Sequence, residues 1–545
     1  SLQLRGQLLY RDDDRDMQIR LIADYTDDSS NGVCPVGLDG GPGAPGPKPW
    51  STARTLIGGL GIRDCLPEPV RYAGDPADSV QNVEREAWGL NLTIERGFGD
   101  LLLSSITGYR DGDGSSLYSQ TGLGPAGPGV LENGLALTFK FPVNEFEEIT
   151  QFSQELRLMS DYADNPWEWI VGGYYQRDKM DKFDRFLAEI IAPIPILSGE
   201  SHWVNHGKQE SLAAFAQAGY RFSEAWRLSA GVRYTRDDKS GRIIGLAVRT
   251  GDRFNPNSPA ALTPLAARFA EGTGYEASYG EKWSEYTPQA ILEFTPRDNL
   301  LVYLSYAEGF KGGGFQDTPF DGSTAQIAYE PEHVKSFELG LKTTLLDGRL
   351  QLNTALFDMD YSDLQVEQTN DVCLCNIVEN ASDASIRGIE AEMKLAPIDY
   401  LLLTLSGSLL DTEYDDFVIR SGAVITQDNT GNTLQRTPEQ QFDAGIDYTL
   451  PLGDWGRALN LRLRYAWQGK LYWGPNNLSQ EDSFGLLDGR ISVARPGAQW
   501  SVSVWGKNLT DKDVRSNVIE FFGDEMSLFR APRTYGVDFT WNMGR

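Results

Sequence analysis

The sequence predicts an all-β fold, a transmembrane antiparallel β-barrel with about nineteen strands in this chain. Three observations predict it. Apolar and polar residues alternate with a period of two in segment after segment, short turns alternate with long connections, and no run of 18 apolar residues occurs. The last observation excludes a transmembrane helix. It does not exclude a β-barrel, because only every second residue of a barrel strand faces lipid.

The alternation is clearest in the segment 459–467, which reads LNLRLRYAW and places leucine, tyrosine and tryptophan at every odd position. The same period runs through 2–10, 17–25, 88–94, 212–222, 226–234, 337–341, 387–395, 442–450, 487–493 and 535–541. The runs carry about ten residues, the length that a tilted strand needs to cross a bilayer. Aromatic residues often close the apolar stripe, as in the girdles of membrane barrels. A soluble sandwich also alternates, but its strands are nearer five or six residues.

One stripe is less regular. From position 350, apolar residues occupy even positions as far as Leu356 and then odd positions from Phe357. A β-bulge would explain this change of parity, and so would emergence of the strand from the membrane.

The connections between strands alternate in length. Short turns, rich in the Asp, Pro and Gly that tight turns require, occupy Arg11–Asp16, Gly97–Asp100, Ala163–Pro166, Ser223–Ala225, Pro296–Asn299, Leu346–Arg349, Pro397–Tyr400, Leu452–Arg457 and Arg495–Gln499. Long segments lie between the resulting hairpins, at 27–84, 111–147, 183–208, 237–282, 312–330, 367–383, 413–436, 469–483 and 511–533. Short turns at one rim and long loops at the other are typical of the bacterial outer membrane, where the long loops face outward.

Nine hairpins and a final strand, Thr534–Met543, give the count of about nineteen. Bacterial barrels close with an even number of strands, so the first strands are expected to be missing from this sequence. The chain begins inside an apparent strand without an initiator Met or a signal peptide, which indicates a mature fragment. All of residues 1–545 are assigned to one domain, the barrel.

The composition narrows the function. The net charge is −28, and an acidic chain is a poor partner for polyanions, so nucleic acid is not expected as a ligand. The ordinary interpretation is a solvated acidic loop surface, and the alternative is attraction of cationic or metal-bearing ligands. No nucleophile elbow, P-loop or zinc signature is present. The sequence therefore predicts no enzyme, no resident cofactor and no metal site.

Four cysteines fall in two long segments, Cys34 with Cys65 and Cys373 with Cys375. Pairing within each segment would suit an oxidising compartment. A bridge between Cys34 and Cys65 is expected, and it would order a loop of about 58 residues by a few kcal/mol. A Cys-x-Cys bridge would be strained, so the question of the second pair stays open.

Two of the three histidines, His202 and His206, flank Trp203 in the long segment 183–208. A histidine pair at this spacing binds metal when it lies on a helix, but the surrounding sequence is rich in strand patterns and proline. An ordinary loop role is the main interpretation, with metal or haem ligation as the alternative. His333 is expected to mark the start of a strand.

Several stretches, taken together and in order, resemble the TonB-dependent receptors. They are SYAEGFKGGGFQ at 305–316, YEPEHVKSFELGLKTTLLDGRLQLNTALFDMDYSDLQV at 329–366, NASDASIRGIEAE at 380–392, SVWGKNLTD at 503–511 and PRTYGVDFTW at 532–541. These stretches cover much of residues 280–545, and residues 2–25 resemble an early barrel hairpin.

The resemblance implies a complete barrel of about twenty-two strands whose lumen is plugged, with residues 2–10 as its fourth strand. It implies an N-terminal plug domain and a TonB box, both absent from this sequence, and energy from the TonB–ExbB–ExbD complex. It also implies a setting of outer-membrane lipid and lipopolysaccharide, and active import of a scarce solute, most often an iron–siderophore complex. A passive porin or a scaffold barrel is the alternative, because such barrels lack the plug and the TonB box.

Ligand contacts are expected from the outer loops, where aromatic faces and polar tips can hold a solute. The candidates are His202, Trp203, His206, Phe310, Lys311, Phe315 and Gln316. The glycines 312–314 are expected at the base of an outer loop, where the backbone must bend. Charged residues on the luminal parity are expected to pair with each other and with the plug; they are Glu338, Lys342, Glu390, Glu392, Lys394, Arg462 and Arg464.

Overall fold

The computed structural model shows a chain that is mostly β-strand. The described residues are 2–31, 36–38, 69–70, 79–80, 82–119, 129–130, 136–140, 142–160, 165–191, 199–248, 273–319, 321–370, 375–421, 424–453, 458–494, 500–521 and 524–541. No helix within these ranges is long and apolar enough to cross a membrane. Cys34, Cys65 and Cys373 lie outside the described residues, and only the backbone of Cys375 is described, so both disulfide bonds stay predictions.

Nineteen antiparallel strands form the barrel wall, as predicted. They are β1 (Leu2–Asp12), β2 (Met17–Asn31), β3 (Asn82–Phe98), β4 (Leu101–Ser119), β5 (Pro142–Ser160), β6 (Trp167–Ile191), β7 (Gly199–Arg221), β8 (Trp226–Val248), β9 (Thr273–Arg297), β10 (Leu300–Lys311), β11 (Glu332–Leu345), β12 (Leu350–Asn370), β13 (Cys375–Leu395), β14 (Leu401–Ser421), β15 (Gln440–Pro451), β16 (Ala458–Gln468), β17 (Phe484–Ala494), β18 (Trp500–Lys507) and β19 (Thr534–Trp541).

Short elements decorate the ends of this wall. Three short strands extend the same sheet to 22 strands, at Gly129–Val130, Ala136–Lys140 and Val424–Asp428. Other short strands lie at Val36–Leu38, Pro69–Val70, Ser79–Val80, Gly314–Phe315, Ala328–Tyr329, Leu471–Tyr472, Gln480–Glu481, Arg515–Phe521 and Asp524–Phe529. Among the described residues, 3-10 turns occupy Asp13–Arg15 and Thr324–Gln326.

Each wall strand pairs with the next one along the chain, so the wall is an up-and-down meander. The strand ends leave short connections where the sequence predicts them. Between β11 and β12, for example, the turn residues Asp347 and Gly348 have positive φ angles of 55° and 87°. Within the described residues, β1 pairs only with β2 and β19 pairs only with β18.

One face of each strand carries exposed apolar side chains and the other carries polar ones, as lipid and lumen require. In β16, Leu463 is 47% exposed on the lipid-facing side. Arg462 and Arg464 take the opposite face, where they pair with Asp447 and Asp443 of β15 at 2.5 and 2.7 Å. The prediction that these inward charges pair with other inward charges is confirmed for these two arginines.

Several strands are much longer than the predicted ten residues. β6 and β9 have 25 residues each, and β7 and β8 have 23 each. The predicted loop 183–208 is therefore wrong in its bounds, because β6 continues to Ile191 and β7 begins at Gly199. Ladder hydrogen bonds continue beyond the bilayer, where lipid no longer demands apolar side chains, so the alternation fades while the strand persists.

The irregular stripe in β12 contains both an inward aromatic residue and a bulge. Leu356 pairs with Ile389 on the lipid-facing side, and Phe357 pairs with Gly388 on the inner side. A Cβ atom added to Gly388 would lie 2.6 Å from the Phe357 ring, so the ring needs this glycine. The register is continuous from Leu350 to Tyr361 and shifts twice only between positions 361 and 365, so the predicted bulge does not explain the change of parity at Phe357.

Candidate functional site

The inner face of β6–β9, beyond the lipid-facing stripe, carries a row of aromatic side chains. Leu212 of β7 is 60% exposed and lies on the lipid-facing side. Successive strand residues alternate between faces, so Trp203 faces inward. Tyr286 of β9 is 67% exposed and lies on the lipid-facing side. The odd-numbered residues of β9 therefore face inward. The inner aromatic residues of this wall are Phe186, Trp203, Tyr275, Tyr279 and Trp283.

Residues 312–319 and 321–331, here named the inward loop, close over this aromatic wall. β9 and β10 stop pairing beyond Gln289 and Ala307, so the chain that leaves β10 turns into the barrel. The indole N–H of Trp203 donates to the carbonyl oxygen of Pro319 at 3.0 Å, and the Tyr275 hydroxyl donates to the same oxygen at 2.6 Å. Trp203 is only 2% exposed. Its role in this structure is to hold the loop against the wall.

Two further aromatic contacts extend this attachment. The Phe315 ring lies 4.4 Å from the Tyr279 ring, centroid to centroid. The indole N–H of Trp283 donates to the Glu330 carboxylate at 2.8 Å. Aromatic pairs at such distances add to the free energy of burial. The inward loop is thus fastened to β7 and β9 near both of its ends.

The other flank of the inward loop is fastened to β12 and β13. The Gln316 side chain donates to the carbonyl oxygen of Val378 at 2.8 Å and accepts from the Val378 N–H at 2.9 Å. The Asn380 amide donates to the carbonyl oxygen of Glu330 at 2.8 Å, and Gln365 donates to that of Gly312 at 3.2 Å. The loop therefore bridges two regions of the wall.

The glycines of the loop permit this close approach. A Cβ atom at Gly313 would lie 2.5 Å from both the Trp283 ring and the Tyr329 carbonyl oxygen. A Cβ atom at Gly314 would lie 2.3 Å from the Tyr329 hydroxyl. The glycines lie at the base of the loop, as predicted, but the requirement for glycine at positions 313 and 314 comes from contact with neighbouring groups and not from a bend of the backbone.

A cluster of charges lies under the loop, beyond the lipid-facing stripe. Lys182 of β6 forms ion pairs with Asp184 at 3.3 Å and with Asp317 of the loop. Burial, together with the nearby carboxylates Asp317 and Glu145, raises the pKa of Asp184 to about 7 despite the lysine. Burial opposes the charge of Lys182, but Asp317 and Asp184 outweigh it and raise the lysine's pKa. The cluster therefore has fewer cations than carboxylates.

A second lysine supports the start of the loop. Lys239 of β8 donates to the carbonyl oxygen of Gly313 at 2.6 Å. Burial lowers the pKa of Lys239, the neighbouring Asp237 opposes this effect and Lys311 adds to it. Two lysines and one carboxylate thus meet at the point where β10 passes into the inward loop.

The structure separates the seven predicted ligand residues into two groups. Trp203, Lys311, Phe315 and Gln316 belong to the inner face or to the inward loop. His202 and His206 share the parity of Leu212, and Phe310 shares that of Tyr306, so these three take the outer face of the wall.

The two histidines lie in a strand, not in the predicted loop. His206 contacts Asp181 at 2.5 Å between Nδ1 and Oδ1, and His202 is buried with its ring 5.7 Å from that of Phe183. Across the described residues, no group of three or more His, Cys, Asp or Glu is arranged to hold a metal ion. The expectation for His333 is confirmed, because β11 begins one residue before it.

Sequence reasoning missed much of the wall side of the site. No sequence motif identifies Lys182, Asp184 or Lys239, because isolated charged residues are common in polar segments. The aromatic residues of β9 did leave a signal, since Tyr275, Tyr279 and Trp283 stand at odd positions and continue the inward parity of the strand. Extending the period-two pattern into the predicted loop would have found them.

A family model described as TonB dependent receptor-like, beta-barrel, matches residues 5–509. The pesticin receptor of Yersinia pestis is 23% identical over 401 residues, which cover 73% of this chain and 52% of that receptor. The ferric-pyoverdine M114 receptor PbuA of Pseudomonas sp. (strain M114) is 31% identical over 277 residues, which cover 49% of this chain and 30% of that receptor. The chain spans about half the length of these relatives, or less.

Solved structures share the fold. The ferric yersiniabactin uptake receptor FyuA from Yersinia pestis superposes with a TM-score of 0.72 at 16% identity, over 98% of this chain and 70% of that one. The siderophore receptor PiuA from Acinetobacter baumannii superposes with a TM-score of 0.68 at 14% identity, over 98% of this chain and 73% of that one. The family match extends over most of the sequence, and the nineteen-strand wall has the lipid-facing and charged faces of such a barrel. The chain therefore belongs to the TonB-dependent receptor-like β-barrel family of the bacterial outer membrane.

Proposed function

We propose that the complete protein is a TonB-dependent outer-membrane receptor that imports an iron–siderophore complex. The family match over residues 5–509 carries the proposal. The names of three relatives support this substrate class, since they refer to ferric pyoverdine, to ferric yersiniabactin and to a siderophore. The protein is a transport receptor and has no catalytic role in this proposal.

The chemistry of the inward loop suits capture of such a chelate. Ferric chelates are large, often present aromatic or apolar arms and often carry negative charge. Aromatic faces can hold the arms, and a lysine can hold an anionic oxygen. We assign direct contact to Lys311 and Phe315, and we assign support of the loop to Trp203 and Gln316. Contact from His202, His206 and Phe310 stays a prediction, because these residues take the outer face.

Import also needs parts outside this sequence. We propose three further barrel strands and a plug domain with a TonB box, and coupling to the TonB–ExbB–ExbD complex in a membrane of lipid and lipopolysaccharide. One observation supports the strands, and one general argument supports the plug. β1 has no second strand partner among the described residues. Two consecutive residues of β1, Leu8 and Leu9, lie on opposite faces and are 72% and 46% exposed. A barrel of about twenty-two strands needs a plug to keep its lumen closed.

The test is uptake of iron-55 from a panel of ferric siderophores by cells that produce the complete protein, with and without TonB. We expect uptake of at least one siderophore at low concentration, and loss of uptake without TonB while surface binding is retained. The outer membrane has no ATP supply, so translocation has to draw on the inner membrane, whereas binding does not. Undiminished uptake without TonB would contradict the proposal and favour a passive porin.

A further inference from the structure

β9 and β10 stop pairing at a point that the lengths of the two strands do not explain. β9 has 25 residues and pairs with β8 along nearly all of them, from Phe294 to Thr273. Its pairing with β10 ends at Gln289 and Ala307, although β10 continues along β11 as far as Lys311. Among the described residues, the part of β9 beyond Gln289 therefore has a neighbouring strand on one side only.

Pro288 lies at this point, and its missing N–H belongs to the β10 side of the ladder. The Thr295 N–H donates to the Ala225 carbonyl oxygen at 2.7 Å. Odd-numbered residues of β9 therefore form the hydrogen-bonded pairs with β8, and even-numbered residues form those with β10. The Thr344 N–H donates to the Asn299 carbonyl oxygen at 3.0 Å, which assigns the even-numbered residues of β10 to the β9 side. A proline at position 288 thus removes a donor from the β9–β10 ladder and none from the β8–β9 ladder.

The group that this donor would serve is the carbonyl oxygen of Glu308. In the register of the observed pairs, Pro288 stands opposite Glu308, and this is the first pair that is missing. A ladder carbonyl group without a donor weakens the pairing of the strands at that position. The ladder therefore ends at the residue that lacks the donor.

The side chains beyond this point would favour further pairing. Continued in the same register, β10 would place Phe310 opposite Tyr286 and Lys311 opposite Glu285. An aromatic pair and a pair of opposite charges each stabilise neighbouring antiparallel strands. In the structure Glu285 contacts His333 instead, at 3.1 Å. The backbone, and not the side chains, therefore ends the ladder.

The chain that leaves β10 turns onto the inner face of the wall. The Lys239 ammonium group of β8 donates to the carbonyl oxygen of Gly313 at 2.6 Å. The Gln326 side chain donates to the carbonyl oxygen of Ser278 at 3.1 Å, on the edge of β9 that β10 leaves unpaired. The inward loop thus takes the place that a longer β10 would have occupied beside β9.

We propose that Pro288 is a positioning residue of the receptor, which ends the β9–β10 ladder and thereby directs the chain after β10 into the lumen. The competing arrangement, here named the extended ladder, pairs residues 308–311 with residues 285–288. It would draw Gly313 away from Lys239 and move the base of the inward loop out of the lumen. The effect on ligand capture rests on the proposed function, whereas the position of the loop does not.

The experiment traps the extended ladder in the complete protein with a short bifunctional thiol reagent. Tyr286→Cys combined with Phe310→Cys places two thiols side by side in the extended ladder. Ala290→Cys combined with Tyr306→Cys is the matched pair, because these two residues are partners in the observed ladder. Mass spectrometry of the linked peptides identifies each cross-link, and heat-modifiable mobility on electrophoresis verifies that each variant is folded.

Each cysteine pair is introduced into the unmodified protein, into Pro288→Ala and into Pro296→Ala, which changes a proline at the other end of the same strand. We expect Pro288→Ala to speed cross-linking of the 286/310 pair about fivefold or more, relative to the 290/306 pair. The reason is that one restored ladder hydrogen bond contributes about 1 kcal/mol, which is a factor of about five. Pro296→Ala should leave this ratio unchanged. Equal ratios in Pro288→Ala and the unmodified protein would overturn the proposal, and so would an equal increase in both proline variants.

The trapped protein also tests the role in ligand capture. For a ferric siderophore that the unmodified protein imports, cross-linking of the 286/310 pair should weaken binding roughly tenfold or more compared with the same variant before cross-linking. Cross-linking of the 290/306 pair should leave binding unchanged. Unchanged binding after 286/310 cross-linking would overturn the role of Pro288 in capture. Failure of the proposed function would appear as the absence of siderophore import by the unmodified protein, a result on which the cross-linking rates do not depend.

Discussion

Asp184 is a buried carboxylate that folding places beside other carboxylates. Its relative exposure is 1%, Glu145 lies directly opposite it in the β5–β6 register, and Asp317 approaches it from the inward loop. Lys182 is shared between Asp184 and Asp317. The charged form of Asp184 is therefore costly when the loop is in place, and loop docking is coupled to uptake of a proton.

This coupling predicts that the inward loop is held more firmly in mild acid. The pKa of Asp184 is raised from 3.8 to about 7 in the folded protein, by burial and in part by Asp317 of the loop. A raised pKa contributes stability that is complete below about pH 4 and is lost as the pH rises through 7. After correction for intrinsic rates, hydrogen exchange in residues 312–331 should be slower at pH 5 than at pH 8. Asp184→Asn should abolish this dependence, whereas Asp238→Asn, which alters an exposed ion pair, should leave it intact. The same pH dependence in Asp184→Asn would refute the coupling.

A single methyl group at Gly313 should loosen the inward loop. The added Cβ would meet the Trp283 ring and the Tyr329 backbone at 2.5 Å, and backbone cannot move aside cheaply. Gly313→Ala should cost the docked loop about 1–3 kcal/mol and speed chymotrypsin cleavage within residues 312–331. Gly6→Ala is the matched control, since nothing lies within 4 Å of its added Cβ. Equal cleavage rates in the two variants would count against the close packing.

At the scale of elements, the inward loop depends on contacts between distant parts of the chain. Trp203 and Pro319 are 116 positions apart, and Gln316 and Val378 are 62 apart. Gln316 is 6% exposed, and it satisfies both the N–H and the carbonyl group of Val378. The position of the inward loop therefore depends on hydrogen bonds from a few buried side chains.

Gln316→Ala should detach the loop from β13 and weaken ligand capture. Two backbone groups would lose their partners, at a cost of about 1–3 kcal/mol each if they remain buried. The affinity for the ferric siderophore identified by uptake should fall roughly fivefold or more. Gln289→Ala removes one exposed hydrogen bond in the lumen, with Gln217, and should leave the affinity unchanged. Unchanged affinity in Gln316→Ala, despite faster exchange in the loop, would show that the loop does not hold the ligand.

The sequence was sufficient for the membrane-spanning part of each strand, and less so beyond the membrane. Contact with lipid requires the alternation of apolar and polar residues that is present from Leu459 to Trp467. Tight turns require residues such as Asp347 and Gly348. Beyond the bilayer no face of a strand has to be apolar, so the sequence pattern did not predict the full length of β6 and β9. The site was found only where a residue was conspicuous, as with Trp203 and Gln316. Its charge cluster arises from strand register, which a single sequence does not state.

At the scale of the whole molecule, the wall has two strand edges without a second partner. β1 and β19 each pair on one side only within the described residues. Unpaired edges expose rows of N–H and C=O groups that can pair with another chain. In hydrocarbon such groups are costly, so a stable barrel has to close.

This open wall predicts a difference between residues 1–545 alone and the complete protein. Refolded in detergent, residues 1–545 should form oligomers through their free edges, whereas the complete protein should be a monomeric barrel with heat-modifiable mobility. Light scattering coupled to size-exclusion chromatography distinguishes the two states. A monomeric, heat-modifiable barrel formed by residues 1–545 alone would contradict the proposal of three additional strands.

The attachment of the inward loop to both flanks of the barrel has a kinetic consequence. Under the proposed function the solute binds a loop that is already ordered, so the ligand does not have to order it and the entropy cost of capture is small. Association can then approach the rate at which solute diffuses to the cell surface, and dissociation sets how long the solute stays. For a cell that harvests a dilute nutrient, the number of receptors on its surface, and not the rearrangement of this loop, would limit the harvest.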